Sequence, residues 1–445
     1  MVAAPDAEGG GDADRRPGRL RAVWERVLKT DRLGRETRSV VVFAALTGAV
    51  TGLAVAGFEW VTRYALFNHL LQAPLAVQVL APLVGLSIAA LALHVLAAGA
   101  SPATADEYIK NFHQPHVPLD ERPVHGRIVA SVATLGLGGA MGYEGPSIYL
   151  GAALGAGLQR RFTRLFNRDD AKVLLVAGAA AGVAAIFKAP ATGLVFALEV
   201  PYQEDFARRM LLPAGIAAAF SYLVFVAFYG TSPLFSVTGA PPFSLRDLGG
   251  AAVLGVACGI GARLFAAALQ AGKQLATRAH PVVRAVVAGI GLAALALLAD
   301  GAFGKPLTLG AGYDNLTWAL DPRRSVGLIV LLLLLRAAAT FTTVSGGGSG
   351  GLFIPLVIEG ALLGRAVGTA FRSAAAGATF FPLVGVSAFL GAGYQVPLAA
   401  VVFAAETSGR PGFIVPALIA ALVAQLFMGR ASVSSYQVVT RAPPM

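Results

Sequence analysis

Ala189–Glu199 reads APATGLVFALE, and Val396–Glu406 reads VPLAAVVFAAE. Slid by 207 residues, the two share proline, valine, phenylalanine, alanine and glutamate at the same places. A second pair lies just upstream of each. Glu144-Gly145-Pro146, followed by Gly151 and Gly155, corresponds to Phe353-Ile354-Pro355, followed by Gly360 and Gly364, at a slide of 209 residues. Two matches in the same order at nearly one offset imply a duplicated chain. The spacing predicts a basic N-terminal tail over 1–38, a first half over 39–230, a linker over 231–246, a second half over 247–440 and a short tail over 441–445.

Working outward, the repeated stretches sit in an unusually apolar chain. Of 445 residues, 56% are hydrophobic and 13% charged, against about 25% charged in a soluble domain. From residue 39 onward, apolar stretches follow one another with short polar joints. Ser39–Trp60, Ala76–Leu96, Leu211–Phe228 and Ile414–Met428 approach or reach the length that a bilayer-spanning helix needs, and few show a polar face at helical period. The expected class is an all-α polytopic membrane protein.

The net charge is +11. A basic balance can mean nucleic acid, but here the charge gathers at the joints. Arg15, Arg16, Arg19, Arg21 and Arg26 precede the first span, Arg160, Arg161, Arg164, Arg168 and Lys172 fill a later joint, and Arg208 and Arg209 another. Such joints stay on the cytoplasmic side, so the N-terminus is expected inside. Residues 1–18 read as a disordered tail without a signal peptide's apolar stretch. Residues 20–33 read as a basic amphipathic helix on the inner leaflet. One cysteine, Cys258, excludes an internal disulfide framework and a cysteine-based zinc site. His94 stands alone, and His113, His116 and His125 lie near a joint, so no pair of histidines sits inside a span to serve an embedded enzyme.

Glycine and proline interrupt matched places of the halves, at 142–146, 188–190, 345–355 and 395–397. In duplicated membrane transporters, such interruptions mark helices that stop partway through the bilayer and bind substrate at the midplane. A helix starting inside the membrane leaves backbone N–H groups unpaired, and an anion suits its partially positive end. In Gly142-Tyr143-Glu144-Gly145-Pro146, glycines flank a lone carboxylate where a helix would begin. A carboxylate there can take an anion's place and leave it on protonation; it could equally be an N-cap that only satisfies backbone N–H groups. Ser345–Pro355 resembles a phosphate loop, but no Gly-Lys-Ser/Thr follows, and unwound backbone lining a cavity fits better. Tyr436 offers a hydroxyl to an anion or an aromatic anchor to the interface. Lys188 is a charge in an apolar run, either raising anion concentration in the cytoplasmic vestibule or snorkelling to the surface. Glu199 and Glu406, at matched positions, read as structural acceptors for helix ends or basic groups, with Arg336 and Arg365 as expected ion-pair partners.

From about residue 39 to 440 the chain resembles the CLC family of chloride channels and proton-coupled chloride transporters. Gly142–Pro146 is similar to that family's G-R-E-G-P motif, with Tyr143 in place of arginine, and Gly351-Leu352-Phe353-Ile354-Pro355 to its G-x-F-x-P motif. Ala189–Glu199 resembles the stretch near the end of the family's first half, and Tyr436 falls where the family has its pore tyrosine. The resemblance implies two inverted-topology repeats of tilted and half-spanning helices, and a homodimer with a pore in each subunit. It implies Glu144 as the gate. The anion would be held by backbone N–H groups at Tyr143, Gly145, Leu352, Phe353 and Ile354 and by the Tyr436 hydroxyl. No cofactor or metal is implied; chloride is the transported ligand and the activity is transport rather than catalysis. The Arg/Ala-rich composition without a targeting signal leads to the expectation of a bacterial inner membrane. The chain's end soon after Tyr436 leads to the expectation of no appended nucleotide-binding pair.

Two departures bear on mechanism. The serine of the family's G-S-G-I-P motif falls on Ala103, leaving Ser101 and Thr104 on either side as hydroxyl donors. The internal glutamate of proton-coupled members falls on Val200, which carries no proton. The expectation is therefore passive chloride conduction under a glutamate gate; the alternatives are chloride/proton antiport and fluoride transport.

Overall fold

The structure, a computed structural model, describes residues 16–114, 117–163, 166, 172–235, 243–371 and 374–440. The N-terminal tail to residue 15, Arg164, Arg168, His116 and the last five residues lie outside the described residues, as do the side chains of the expected amphipathic stretch at 20–33.

The described chain is almost entirely helical. In the first half, α1 (Arg16–Glu59) passes through a π-helical stretch, Trp60–Phe67, into α2 (Asn68–Leu70). Then come α3 (Leu75–Val95), α4 (Ala105–Phe112), α5 (Val124–Gly136), α6 (Glu144–Arg161), α7 (Val173–Phe187), α8 (Pro190–Glu199) and α9 (Leu211–Tyr229). The second half holds α10 (Leu245–Arg278), α11 (Pro281–Phe303), α12 (Tyr313–Ala319), α13 (Val326–Ser345), α14 (Phe353–Phe371), α15 (Ala374–Tyr394), α16 (Pro397–Ser408) and α17 (Ile414–Met428). Among the described residues, eight helices are long and apolar enough to cross a bilayer. Leu426, Leu264 and Val42 are among many large apolar side chains left exposed on them. That is what a lipid-facing surface requires and what a water-facing one avoids.

The duplication reappears as packing. Gly151 of α6 lies against Gly178 of α7 so closely that a Cβ on either would collide with the other's carbonyl, and Gly360 of α14 and Gly385 of α15 repeat the contact. Gly48 and Gly52 of α1 press on the Ala217 and Ser221 carbonyls of α9; Gly255 and Gly259 of α10 press on those of Ala420 and Ala424 in α17. Helices in lipid gain little from the hydrophobic effect between them, so bare backbone at the contact, which allows close dispersion packing, stands in for it.

The shared glutamates show how the halves meet. Glu199, at the end of α8, accepts from the N–H groups of Leu398 and Ala399 at the start of α16, at 3.0 and 2.7 Å. Glu406, near the end of α16, accepts from Ala191 and Thr192 N–H at the start of α8, at 3.0 and 2.8 Å, and from the Thr192 hydroxyl. Each repeat caps the other's helix. Equivalent helices therefore run antiparallel, which is the inverted topology expected. Arg336 and Arg365 do not pair with these carboxylates. Arg336 donates to the Thr308, Gly310 and Ala311 carbonyls, and Arg365 to those of Ala319 and Pro322. The helix ends already occupy both glutamates, whereas these loop carbonyls need donors.

The basic joints gather at one end. Arg160 and Arg161 close α6, Lys172 opens α7, and Met210, beside Arg208 and Arg209, packs against the apolar cluster that includes Val173 and Leu174. Arg160 pairs with Glu121, so α5 also starts at this end. In contrast, α1 runs antiparallel to α6, with Thr47 beside Gly155 and Thr51 beside Gly151, and so carries Glu59 and Arg63 beyond Glu144 to the opposite end.

Candidate anion site

The two glycine-flanked joints meet in the middle of the molecule. Gly142 and Gly351 exchange both backbone hydrogen bonds, at 2.9 and 2.8 Å, in an isolated antiparallel bridge. The bridge sets the starts of α6 and α14 side by side, and the Glu144 side chain lies between them. A Cβ on Gly142 or Gly351 would strike the Glu144 carboxyl, so the glycines are what let a carboxylate fit there. Its Oε1 accepts from the Phe353 N–H at 2.6 Å, a charge-assisted length, while Oε2 is buried without a partner among the described residues. Glu144 is 1% exposed. The helix starts at Tyr143–Gly145 and Leu352–Ile354 are thus brought together around one negative group. That arrangement can hold an anion whenever the carboxylate withdraws.

A cavity of about 570 Å³ leads to these joints, lined among others by Ser101, Thr104, Leu352, Tyr394, Lys273 and Tyr436. It opens at the basic end: Gly126 at the start of α5 packs on Ala97, just before the lining loop. Arg127 holds that loop, its Nε donating to the Ser101 carbonyl at 3.0 Å while its other nitrogens reach the Tyr149 hydroxyl and Glu107. Ser101 is exposed in the cavity wall. Thr104 is buried beside Gly145, and its hydroxyl donates to the Gly350 carbonyl at 3.1 Å. A hydroxyl has one proton, so Thr104 as it stands binds the second repeat's loop rather than an anion.

Tyr436 lines the cavity but is 45% exposed, with the Lys110 ammonium 5.9 Å from its ring centre. Beside it a clamp closes the wall. Lys273 donates to Asp106 at 2.7 Å, to the Val433 carbonyl at 2.8 Å and to Ser435, while Asp106 accepts from Ser434. The register that buries Val433 and Ser434 turns Tyr436 outward. The tyrosine buried in this wall is Tyr394, which the sequence reading missed. A signal existed: Tyr394-Gln395-Val396-Pro397 is the repeat counterpart of Phe187-Lys188-Ala189-Pro190. Both joints carry the same left-handed turn, at Lys188 (φ 53°) and Gln395 (φ 59°).

Lys188 does not line the cavity. Its ammonium donates to the Tyr229 carbonyl at 3.0 Å, and the Tyr229 hydroxyl reaches Ala56 on α1, which places Lys188 at the end opposite the basic joints. The helix that precedes it runs away from those joints, so a charge just past its end cannot serve a vestibule among them. There it lies within electrostatic reach of Glu59, which pairs with Arg63 at 2.9 Å near the stacked Tyr143 and Tyr313 rings. Val200 is buried at the end of α8, its carbonyl held by Gln437. No cluster of three metal-ligating side chains occurs among the described residues.

The family model described as voltage gated chloride channel matches residues 84–429. The H(+)/Cl(-) exchange transporter ClcA of Cronobacter sakazakii is 28% identical over 435 residues, covering 92% of this chain and 90% of that one. Its namesake in Citrobacter koseri is 29% identical over 420 residues, covering 88% and 86%. Among solved structures, a CLC-type fluoride/proton antiporter superposes with a TM-score of 0.78 at 21% identity, covering 91% of this chain and 98% of that one. A slow cyanobacterial Cl-/H+ antiporter superposes with a TM-score of 0.76 at 22% identity, covering 87% and 94%. With a family match across most of its length and that fold, the chain belongs to the voltage gated chloride channel, or CLC, family of multi-pass membrane transport proteins.

Proposed function

We propose that this protein exchanges chloride for protons across a membrane, with Glu144 as the group that both ions displace or load. The observation that carries the reading is the Glu144 carboxylate in an anion's seat, with one oxygen on the Phe353 N–H and the other unpartnered. A charged side chain there competes with a free anion for the same donors, and a proton removes it from the competition. That is the linkage exchange requires. The relatives named H(+)/Cl(-) exchange transporters favour this over the passive conduction expected from Val200. With valine at the internal position, protons need another route from the basic end. The cavity that reaches Gly350, Leu352 and Tyr394 offers one through water, without a second carboxylate. Passive conduction remains the reading that Val200 itself favours.

The test is chloride-driven proton movement in liposomes holding pure protein. An outward chloride gradient should drive protons uphill, and Glu144→Gln should abolish the pumping while chloride flux persists. Chloride flux without proton pumping in the wild type would establish passive conduction instead.

A further inference from the structure

Tyr394 ends α15 with its ring buried at 3% exposure, edge-on to Phe196 with ring centres 5.7 Å apart. The backbone around it is fixed. The Tyr394 carbonyl accepts from Gln437, the Gly393 carbonyl accepts from Val433 N–H at 2.9 Å, and Gln395 takes the left-handed turn that follows. Two other tyrosines spend their hydroxyl protons inside the protein: Tyr108 donates to the Ala197 carbonyl and Tyr229 to that of Ala56. Tyr394 lines the cavity, lies within electrostatic reach of Glu144, and has its hydroxyl beside the Leu352 N–H. No acceptor for its own proton occurs among the described residues.

We infer that the Tyr394 hydroxyl, rather than that of Tyr436, is the side-chain donor to a small inorganic anion in the inner part of the pathway. This rests on the reading of the Glu144 joint as an anion seat. The Leu352 N–H polarises the hydroxyl, and the hydroxyl donates onward, so one backbone dipole and one O–H act in series on the anion. Phe187, the repeat counterpart of Tyr394, packs on Phe353 with ring centres 4.6 Å apart and has no hydroxyl to offer. The duplicated frame therefore places a donor on one side of the pathway only. Tyr436 leans outward because Ser434 and Ser435 are tied to Asp106 and Lys273.

The test removes one oxygen at a time and titrates chloride by calorimetry in detergent. Tyr394→Phe keeps the ring packed against Phe196 and should weaken chloride binding roughly tenfold or more, the scale of a lost hydrogen bond to a charged group. Tyr436→Phe should bind as the wild type does. Thermal melting checks that both variants remain folded. Unchanged binding in Tyr394→Phe, or a loss confined to Tyr436→Phe, would overturn the inference. If wild-type protein bound no chloride, bromide or fluoride at all, the anion-seat reading itself would fail.

Discussion

At the scale of single residues, the chemistry rests on what surrounds Glu144. Two glycines remove the atoms that would collide with its carboxyl, and a bridge between them sets two helix starts against it. The sign of the pH effect follows. On the proposed reading, lowering the pH protonates Glu144, ends its competition for the Phe353 N–H and frees the seat. Wild-type anion flux should therefore rise as pH falls, and Glu144→Gln should give a flat, high flux at every pH. A flux assay across a pH series checks this, and a wild-type slope surviving in the variant would remove Glu144 from the gate. The glutamate was legible in the sequence because glycines and a proline mark the joint. Tyr394 was not read, because its neighbours look like an apolar helix end and Tyr436 sits nearer the expected motif position.

At the scale of elements, the swapped caps of α8 and α16 deserve a direct measurement. Glu406→Ala would leave the Ala191 and Thr192 N–H groups at the start of α8 without their acceptor, and Glu199→Ala would do the same to Leu398 and Ala399. Each should cost about 1.5–3 kcal/mol, the range for hydrogen bonds to a charged group. Denaturation in detergent would show it as an earlier midpoint for each variant, and unchanged midpoints would mean that water or lipid headgroups replace the caps. The sequence supplied the matched glutamates but not their exchange. A single strand of sequence cannot say whether a carboxylate caps its own repeat or the other.

At the scale of the whole molecule, close helix contacts through glycine hold each half together. A side chain at Gly178 must displace the backbone of α6 at Gly151, so Gly178→Val should fail to give a monodisperse protein on gel filtration. Gly57 of α1 faces open space, and Gly57→Ala should leave the protein intact and raise its stability by up to about 1 kcal/mol through helix propensity. Equal behaviour of the two variants would contradict the packing account.

The sequence by itself determined the membrane class, the duplication and the glycine-flanked joint that holds Glu144, because apolar length, repeat offset and glycine-flanked charge are local properties that survive without coordinates. Only the tertiary structure decided where Lys188 goes, which tyrosine is buried in the cavity wall and what Arg336 and Arg365 hold. Those depend on which end of a helix meets which neighbour. Inverting one repeat against the other brings residues some 200 positions apart into contact, as it does Glu199 with Leu398 and Ala399.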